Sequence, residues 1–214
     1  MPDRSDRRKR LIGNLYSAAA ERVYDRLVVN GAFKLFGGSL NDLVRIQGRR
    51  AIVLAEGQPI LDMPVGTAYF AAEVARFYPG LVVGVDIAEG MVRQARSVAT
   101  NAGANLEVLQ ADAHHLPFGD GSFRAILCSN GLQVIPGLQP TISELARVLA
   151  PGGTLLVSVV TLPAPLPRSA RARLPTMLRP GDDVVDALRA IGLHARVTTR
   201  ERLATLIEAT KPAT

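Results

Sequence analysis

The sequence predicts an α/β fold: a doubly wound, largely parallel sheet preceded by a helical cap. Three observations lead there. From residue 59 onward, short runs rich in Val, Ile and Leu alternate with longer helix-patterned segments. Those runs lack strict polar alternation, as suits strands covered on both faces. Helix stops fall between them, at Pro79-Gly80, Asn101-Ala102-Gly103 and Pro151-Gly152-Gly153.

Taken in order, residues 1–10 read as a flexible basic tail and residues 11–50 as a helical cap or lid. Its helices are "LYSAAAERVYDRLVV", a break at Asn30-Gly31, "AFKLF", a second break at Gly37-Gly38, and a helix capped by Ser39. The core, 51–214, alternates "PILDM" with "TAYFAAEVARFY", and "LVVGVDI" with "EGMVRQARSVATNAG". "LEVLQAD" follows, then "FRAILCSN" with "QPTISELARVLA", and "GTLLVSVV". Residues 161–181 form a Pro/Arg-rich connection. "DDVVDALRAIGL" is a helix, and "HARVTTRERLATLIEATK" divides into two strands turning near Arg200-Glu201. Right-handed crossovers place a ligand crevice at the carboxyl ends of the strands.

Composition bounds the reading. The chain has 214 residues, 48% of them hydrophobic, enough for one well-buried domain and unlike a disordered chain. No apolar run approaches the ~18 residues of a membrane span. The start imitates a signal peptide, but Asn14 and Tyr16 interrupt its apolar stretch. With a single cysteine, Cys128, no internal disulfide can form, and a reducing cytoplasm is expected. Much of the net charge of +6 lies in "RSDRRKR" and "RSARARLPTMLR". Such patches recruit nucleic acid, anionic membranes or acidic substrates, or are merely solvated. Neither carries the aromatics of a single-strand binder.

Three acids mark the crevice. Asp62 ends the first strand and Gly66 lies in the following loop. Asp86 ends the second strand, twenty positions after Gly66 (86 − 66), a spacing that lets a carboxylate reach the hydroxyls of a ribose. Asp112 ends the third, where it can accept a hydrogen bond from an adenine amine. One such acid could simply cap a turn, whereas three in register point to a ligand. A dinucleotide loop needs G-x-G-x-x-G, and Pro64 and Tyr69 break it; a G-K-[ST] phosphate loop is absent. An acid directly before the loop repels a pyrophosphate and suits a cation bearing an ammonium and a sulfonium.

Residues 59–160 resemble class I S-adenosylmethionine-dependent methyltransferases, particularly the group that includes quinone-biosynthesis enzymes. "DMPVGTA" is similar to the family's acid-x-Gly-x-Gly-x-Gly loop, departing from it at Pro64 and Ala68. "VVGVDIAEGMVRQAR" resembles the ribose motif, "LQADAHHLPFGDGSF" the adenine motif, and "ISELARVLAPGGTLLVS" the helix and fifth strand. The resemblance implies a seven-stranded Rossmann-like sheet whose last strand is antiparallel, and S-adenosylmethionine as cofactor. It places Asp62, Pro64 and Gly66 near the methionine moiety and Asp86 on the ribose. Ile87 would pack on the adenine and Met91 would also bind the cofactor, with Asp112 and Ala113 at the adenine's polar edge and Ser129 and Asn130 near the methionine end. Arg124 stands where the family usually has an acid; it precedes the fourth strand, so little consequence is expected. Pro64 cannot adopt positive φ, so the loop must bend differently there. Ala68 is expected in ordinary helical geometry. The loop reads as modified but competent.

Methyl transfer from a sulfonium is an in-line displacement in which positioning supplies much of the catalysis. A hydroxyl acceptor also needs a base. Candidates are His114 and His115, which equally suit a solvated loop, the more distant His194, and Tyr16 and Tyr24 of the cap, which equally suit helix packing. Gln133, where relatives often carry a histidine, could orient a hydroxyl. Adjacent histidines diverge, so no metal site is assigned and a metal requirement stays open. A short, basic 161–181 connection suggests an open site for a small-molecule, saccharide or lipid acceptor, with O-methylation ranked first. Two other readings stand: a catalytically silent S-adenosylmethionine- or nucleotide-binding protein, and a nucleic-acid methyltransferase. The latter lacks an N-P-P-Y-like tetrapeptide, so no nucleic acid is expected. A homodimer is the assembly entertained.

Overall fold

The computed structural model describes residues 33–160, 181–201 and 204–213, with side chains from residue 42. Helix α1 (Phe33–Ala55) leads into β1 (Ile60–Asp62), α2 (Tyr69–Phe77), β2 (Val82–Asp86), α3 (Glu89–Ala102) and β3 (Leu106–Gln110). Then come β4 (Phe123–Ser129), α4 (Leu138–Val148), β5 (Leu149–Val160), α5 (Gly181–Ala190), β6 (His194–Arg200) and β7 (Ala204–Thr210). The strands form one seven-stranded sheet in the order β3-β2-β1-β4-β5-β7-β6. Only β7 runs against its neighbours. The expected doubly wound sheet with an antiparallel last strand is therefore present.

The unbroken apolar runs are explained by two cores. Ile60, Val82, Ala125 and Leu127 face α1, α2 and α3, while Leu61, Val83, Ile126 and Cys128 face α4 and α5. Each fully buried Leu, Ile or Val contributes roughly 1.5–3 kcal/mol. Small residues set the spacing on the first face: α2 buries Ala71, Ala72 and Ala75, and a Cβ on Gly48 of α1 would lie 2.8 Å from Val74 Cγ2. Helix α3 stops where expected, at Gly103 with φ 56°, whose N–H bonds the carbonyls of Ala99 and Thr100.

Two expectations for the N-terminal region are corrected. Gly37-Gly38 does not break the chain, and Ser39 is not an N-cap: α1 runs continuously from Phe33 to Ala55. Burial of its later turns against β4 and β5 outweighs the roughly 1 kcal/mol per glycine that favours a break. The expected boundary near residue 50 falls inside this helix. Tyr16, Tyr24, the basic tail and the 161–180 connection lie outside the described residues.

Candidate active site

The tips of β1, β2 and β4 are brought together by register: Asp62 pairs with Gly84 on one side and Leu127 on the other. Asp62 is only 6% exposed, and its Oδ1 has no hydrogen-bond partner among the described residues. Burial, reinforced by the nearby Asp86 charge, pushes its pKa up to about 7. A buried, unpartnered carboxylate oxygen is costly unless a donor or cation meets it.

Asp86 holds the loop. Its Oδ2 accepts from Gly66 N–H at 3.0 Å and its Oδ1 from Ala88 N–H at 2.9 Å. Burial raises its pKa, opposed by the amides of Ala88, Gly66 and Ile87. A carboxylate offers about four acceptor positions, so these amides do not exhaust it. Gly66 has φ 54°, and no atom lies within 4 Å of where a Cβ would sit, so its glycine answers to backbone geometry. Val65 N–H bonds Val85 O at 2.8 Å and Met63 N–H bonds Leu127 O at 3.0 Å, tying the loop to both neighbouring strands. The Met63–Pro64 peptide is cis.

Ala68 departs from expectation. It has φ 61° and ψ 17°, the left-handed region, not helical geometry. The family's glycine pattern at this position thus reflects a backbone requirement that the chain keeps with alanine in place.

Ile87 is 49% exposed beside Asp86, an apolar surface of the kind an adenine covers. Met91 is instead buried against Ala88, so it supports the Asp86–Ala88 turn from below. After β3, Asp112 Oδ1 accepts from His114 N–H at 2.9 Å and its carbonyl from His115 N–H. Ala113 is buried behind this turn.

The histidines divide. His114 Nε2 lies 2.9 Å from Pro136 O and 3.1 Å from Thr141 Oγ1. A carbonyl only accepts, so Nε2 carries a proton and the ring pins the β3 turn to α4. His115 is exposed on the same turn. His194 begins β6, two strands beyond β5 in the sheet.

On the β4 side, Ser129 Oγ donates to Gln47 Oε1 at 3.3 Å, and Gln47 Nε2 donates to Leu156 O at 2.6 Å. Asn130 has φ 55°, which Asn tolerates, and its N–H bonds Ser158 O. Asn130 Oδ1 is buried and, like Asp62 Oδ1, without a partner among the described residues. Gln133 donates to Val160 O at 2.6 Å and accepts from Val160 N–H at 2.7 Å. Its amide behaves as one more rung of the β4–β5 ladder, tying the turn after β4 to the end of β5.

Residues 60–153 match the family model described as a methyltransferase domain. Over 113 residues the chain is 42% identical to the demethylmenaquinone methyltransferase of Thermus thermophilus, covering 51% of each. Over 106 residues it is 38% identical to the ubiquinone/menaquinone biosynthesis C-methyltransferase UbiE of Haemophilus ducreyi, covering 48% of this chain and 41% of that one. Residues 60–153 thus resemble a methyltransferase domain. The chain matches about half, or less, of the length of these curated relatives. The fold also matches an Aquifex aeolicus SAM-dependent methyltransferase, with TM-score 0.66 and 20% identity, covering 78% of this chain and 88% of the other. It matches the [4+2]-cyclase SpnF comparably, with TM-score 0.65, 19% identity and coverage of 78% and 81%. Fold alone therefore does not name the reaction.

The family's donor, S-adenosylmethionine, fits what the domain presents. Two unpartnered buried acceptors, Asp62 Oδ1 and Asn130 Oδ1, sit at adjacent strand tips, and an ammonium brings three N–H donors. Asp86 keeps acceptor capacity for a ribose, and Ile87 offers an apolar face. Reading motifs alone missed Gln47, Glu144 and Arg147. The i, i+3 pair Glu144 and Arg147 in "SELARV" was visible as a helical ion pair, but not its target, the stretch 116–120. Arg124 is accommodated away from the crevice, pairing with Glu56 at 3.2 Å and bonding Pro151 O.

Proposed function

We propose that this domain binds S-adenosylmethionine in the crevice and methylates a small, electron-rich ring of the hydroquinone class, at carbon. The observation that carries donor binding is the Asp62–Asp86 pair: one acid with a buried oxygen unpartnered among the described residues, the other holding through Gly66 N–H the loop that would cradle the ligand. When bound, the donor supplies an already activated methyl group. What remains for the protein is to hold the loop, meet an ammonium at Asp62 and Asn130, and fix the crevice rim through His114 and Gln133.

Carbon is preferred to oxygen for two reasons. Both curated relatives are named for quinone-type biosynthesis, one expressly as a C-methyltransferase. His114 Nε2, the better-placed base candidate, is committed to Pro136 and Thr141. An ionised hydroquinone carries its own nucleophilic carbon and needs less from a base. The expectation of O-methylation follows from the open, basic acceptor side expected of 161–181, and exposed His115 remains available to a hydroxyl acceptor.

The experiment has two arms. Calorimetry with S-adenosylhomocysteine is expected to show one site, and its absence removes the donor reading. Incubation with 13C-methyl-labelled S-adenosylmethionine and a hydroquinone is expected to place label on ring carbon by NMR. An oxygen-bound methyl would restore O-methylation. Label in neither product, despite donor binding, would favour a silent S-adenosylmethionine-binding protein.

A further inference from the structure

The loop after β1 lacks glycine at position 64, yet it lies close against β4. The reason is on the other side of the contact. A Cβ on Gly131 would overlap Pro64 Cδ, and would lie 3.0 Å from Pro64 Cγ and 2.9 Å from Cys128 Sγ. Gly131 is not in the left-handed region, so its backbone does not demand glycine; only the space does. Gly84 on β2 does the same for the next residue: a Cβ there would come within 2.6 Å of Val65 Cγ2. Pro64 and Val65 are thus each keyed into a glycine on a different neighbouring strand or turn.

We infer that Gly131 is a positioning residue for donor binding: by receiving the Pro64 ring, it supplies from the β4 turn the space that the loop's own sequence gives up. The inference rests on the donor reading proposed above. The consequence is local and directional. Pro64 lies two residues after Asp62 and two before Gly66, whose N–H bonds Asp86. Met63 and Val65 are anchored to β4 and β2 through their N–H groups. A methyl on Gly131 cannot be absorbed by bending the loop freely, so it shifts the carboxylate and amide that face the ligand.

The test is a double-mutant cycle in a Cys128→Ala background, which removes the other atom a new methyl would meet. S-adenosylhomocysteine affinity is measured by calorimetry for the parent, Pro64→Ala, Gly131→Ala and the combination, each beside its Tm. Gly131→Ala is expected to weaken binding about tenfold or more. Pro64→Ala alone should weaken binding less than Gly131→Ala does, and the combination should bind at least about threefold more tightly than Gly131→Ala. If Gly131→Ala lowers Tm but binds like the parent, the residue is only structural and the inference falls. It falls equally if the combination binds no better than Gly131→Ala. Should Gly131→Ala fail to fold, the combination decides: folded and binding supports the pairing, anything else overturns it. Absence of binding by the parent would instead remove the proposed function, and this inference with it.

Discussion

Two loops rim the crevice and are held by opposite means. The loop 63–68 departs from the family's glycine pattern and is fixed by apolar packing, backbone bonds and one carboxylate, Asp86. The stretch 112–122 keeps the family's pattern and is fixed by charge. Arg147 reaches Asp120 Oδ1 at 2.7 Å, the carbonyls of Phe118 and Leu116, and both oxygens of Glu144. Glu144 Oε1 in turn accepts from Leu116 N–H at 2.6 Å. Agreement with a motif is therefore not what secures a loop. Each is secured by partners far along the chain, one set through volume and the other through charge, and the two should fail under different insults.

The largest expected effect separates them by pH. Asp62 has its pKa raised from 3.8 to about 7. An acid raised in this way binds more protons folded than unfolded between those values. Stability is therefore present at low pH and lost as pH rises from about 4 through about 7. Asp62→Asn removes the titration, so its Tm should match wild type near pH 4 and exceed it by a growing margin up to neutrality. Three pKa units correspond to at most about 4 kcal/mol. A Tm gap that stays constant with pH would show that Asp62 ionises freely. Glu144, held below its ordinary pKa first by the Arg147 hydrogen bond, has the opposite sign: the stability it contributes is lost as pH falls. Comparing two variants that share Glu144 cancels that contribution.

The next effect belongs to the charged loop. Arg147→Ala leaves the Leu116 and Phe118 carbonyls and two carboxylates without their donor. Charge-assisted hydrogen bonds of this kind contribute ~1.5–3 kcal/mol each in favourable cases. With Arg147 side chain 34% exposed, a total of about 2 kcal/mol is expected after allowing for solvent screening. That is about 4–8 °C in Tm for a chain of this size. Molar salt should narrow the gap between wild type and variant. No change in Tm, or a gap indifferent to salt, would place the hold on this loop elsewhere, as in the edge-to-face Phe118–Phe123 pair or the Gly121 N–H bond to Arg147 O.

How much of this was legible in the sequence follows from the same contrast. Strand order and the three acids left periodic or positional traces: apolar runs of strand length, each ending in Asp62, Asp86 or near Asp112. The bonds that fix the site left none. Gly66 to Asp86 spans 20 positions, Leu116 to Glu144 spans 28, and Ser129 to Gln47 spans 82. Such links are set by tertiary packing, and no local pattern encodes them. The continuity of α1 through Gly37-Gly38 was hidden for a related reason, since helix propensity is a weak prior once a face is buried. His114 and Gln133 were singled out for their chemistry, but the sequence could not show that backbone carbonyls would claim them first.

The smallest expected effect tests what a lost glycine costs. Ala68 occupies left-handed backbone, where an L-residue is disfavoured by about 1–2 kcal/mol. Ala68→Gly would relieve that. Its methyl is also buried in the core facing α1, α2 and α3, and a buried methylene-sized group is worth about 0.8 kcal/mol. Glycine further raises the entropy of the unfolded chain by about 0.4–1 kcal/mol. These contributions nearly cancel, so the substitution should move Tm by no more than about 2 °C in either direction and leave S-adenosylhomocysteine affinity unchanged. A marked rise in Tm would mean that the alanine is strained without compensation. A marked fall would mean that methyl packing decides, and that the loop 63–68, unlike 112–122, is held by volume at every position where glycine has been given up.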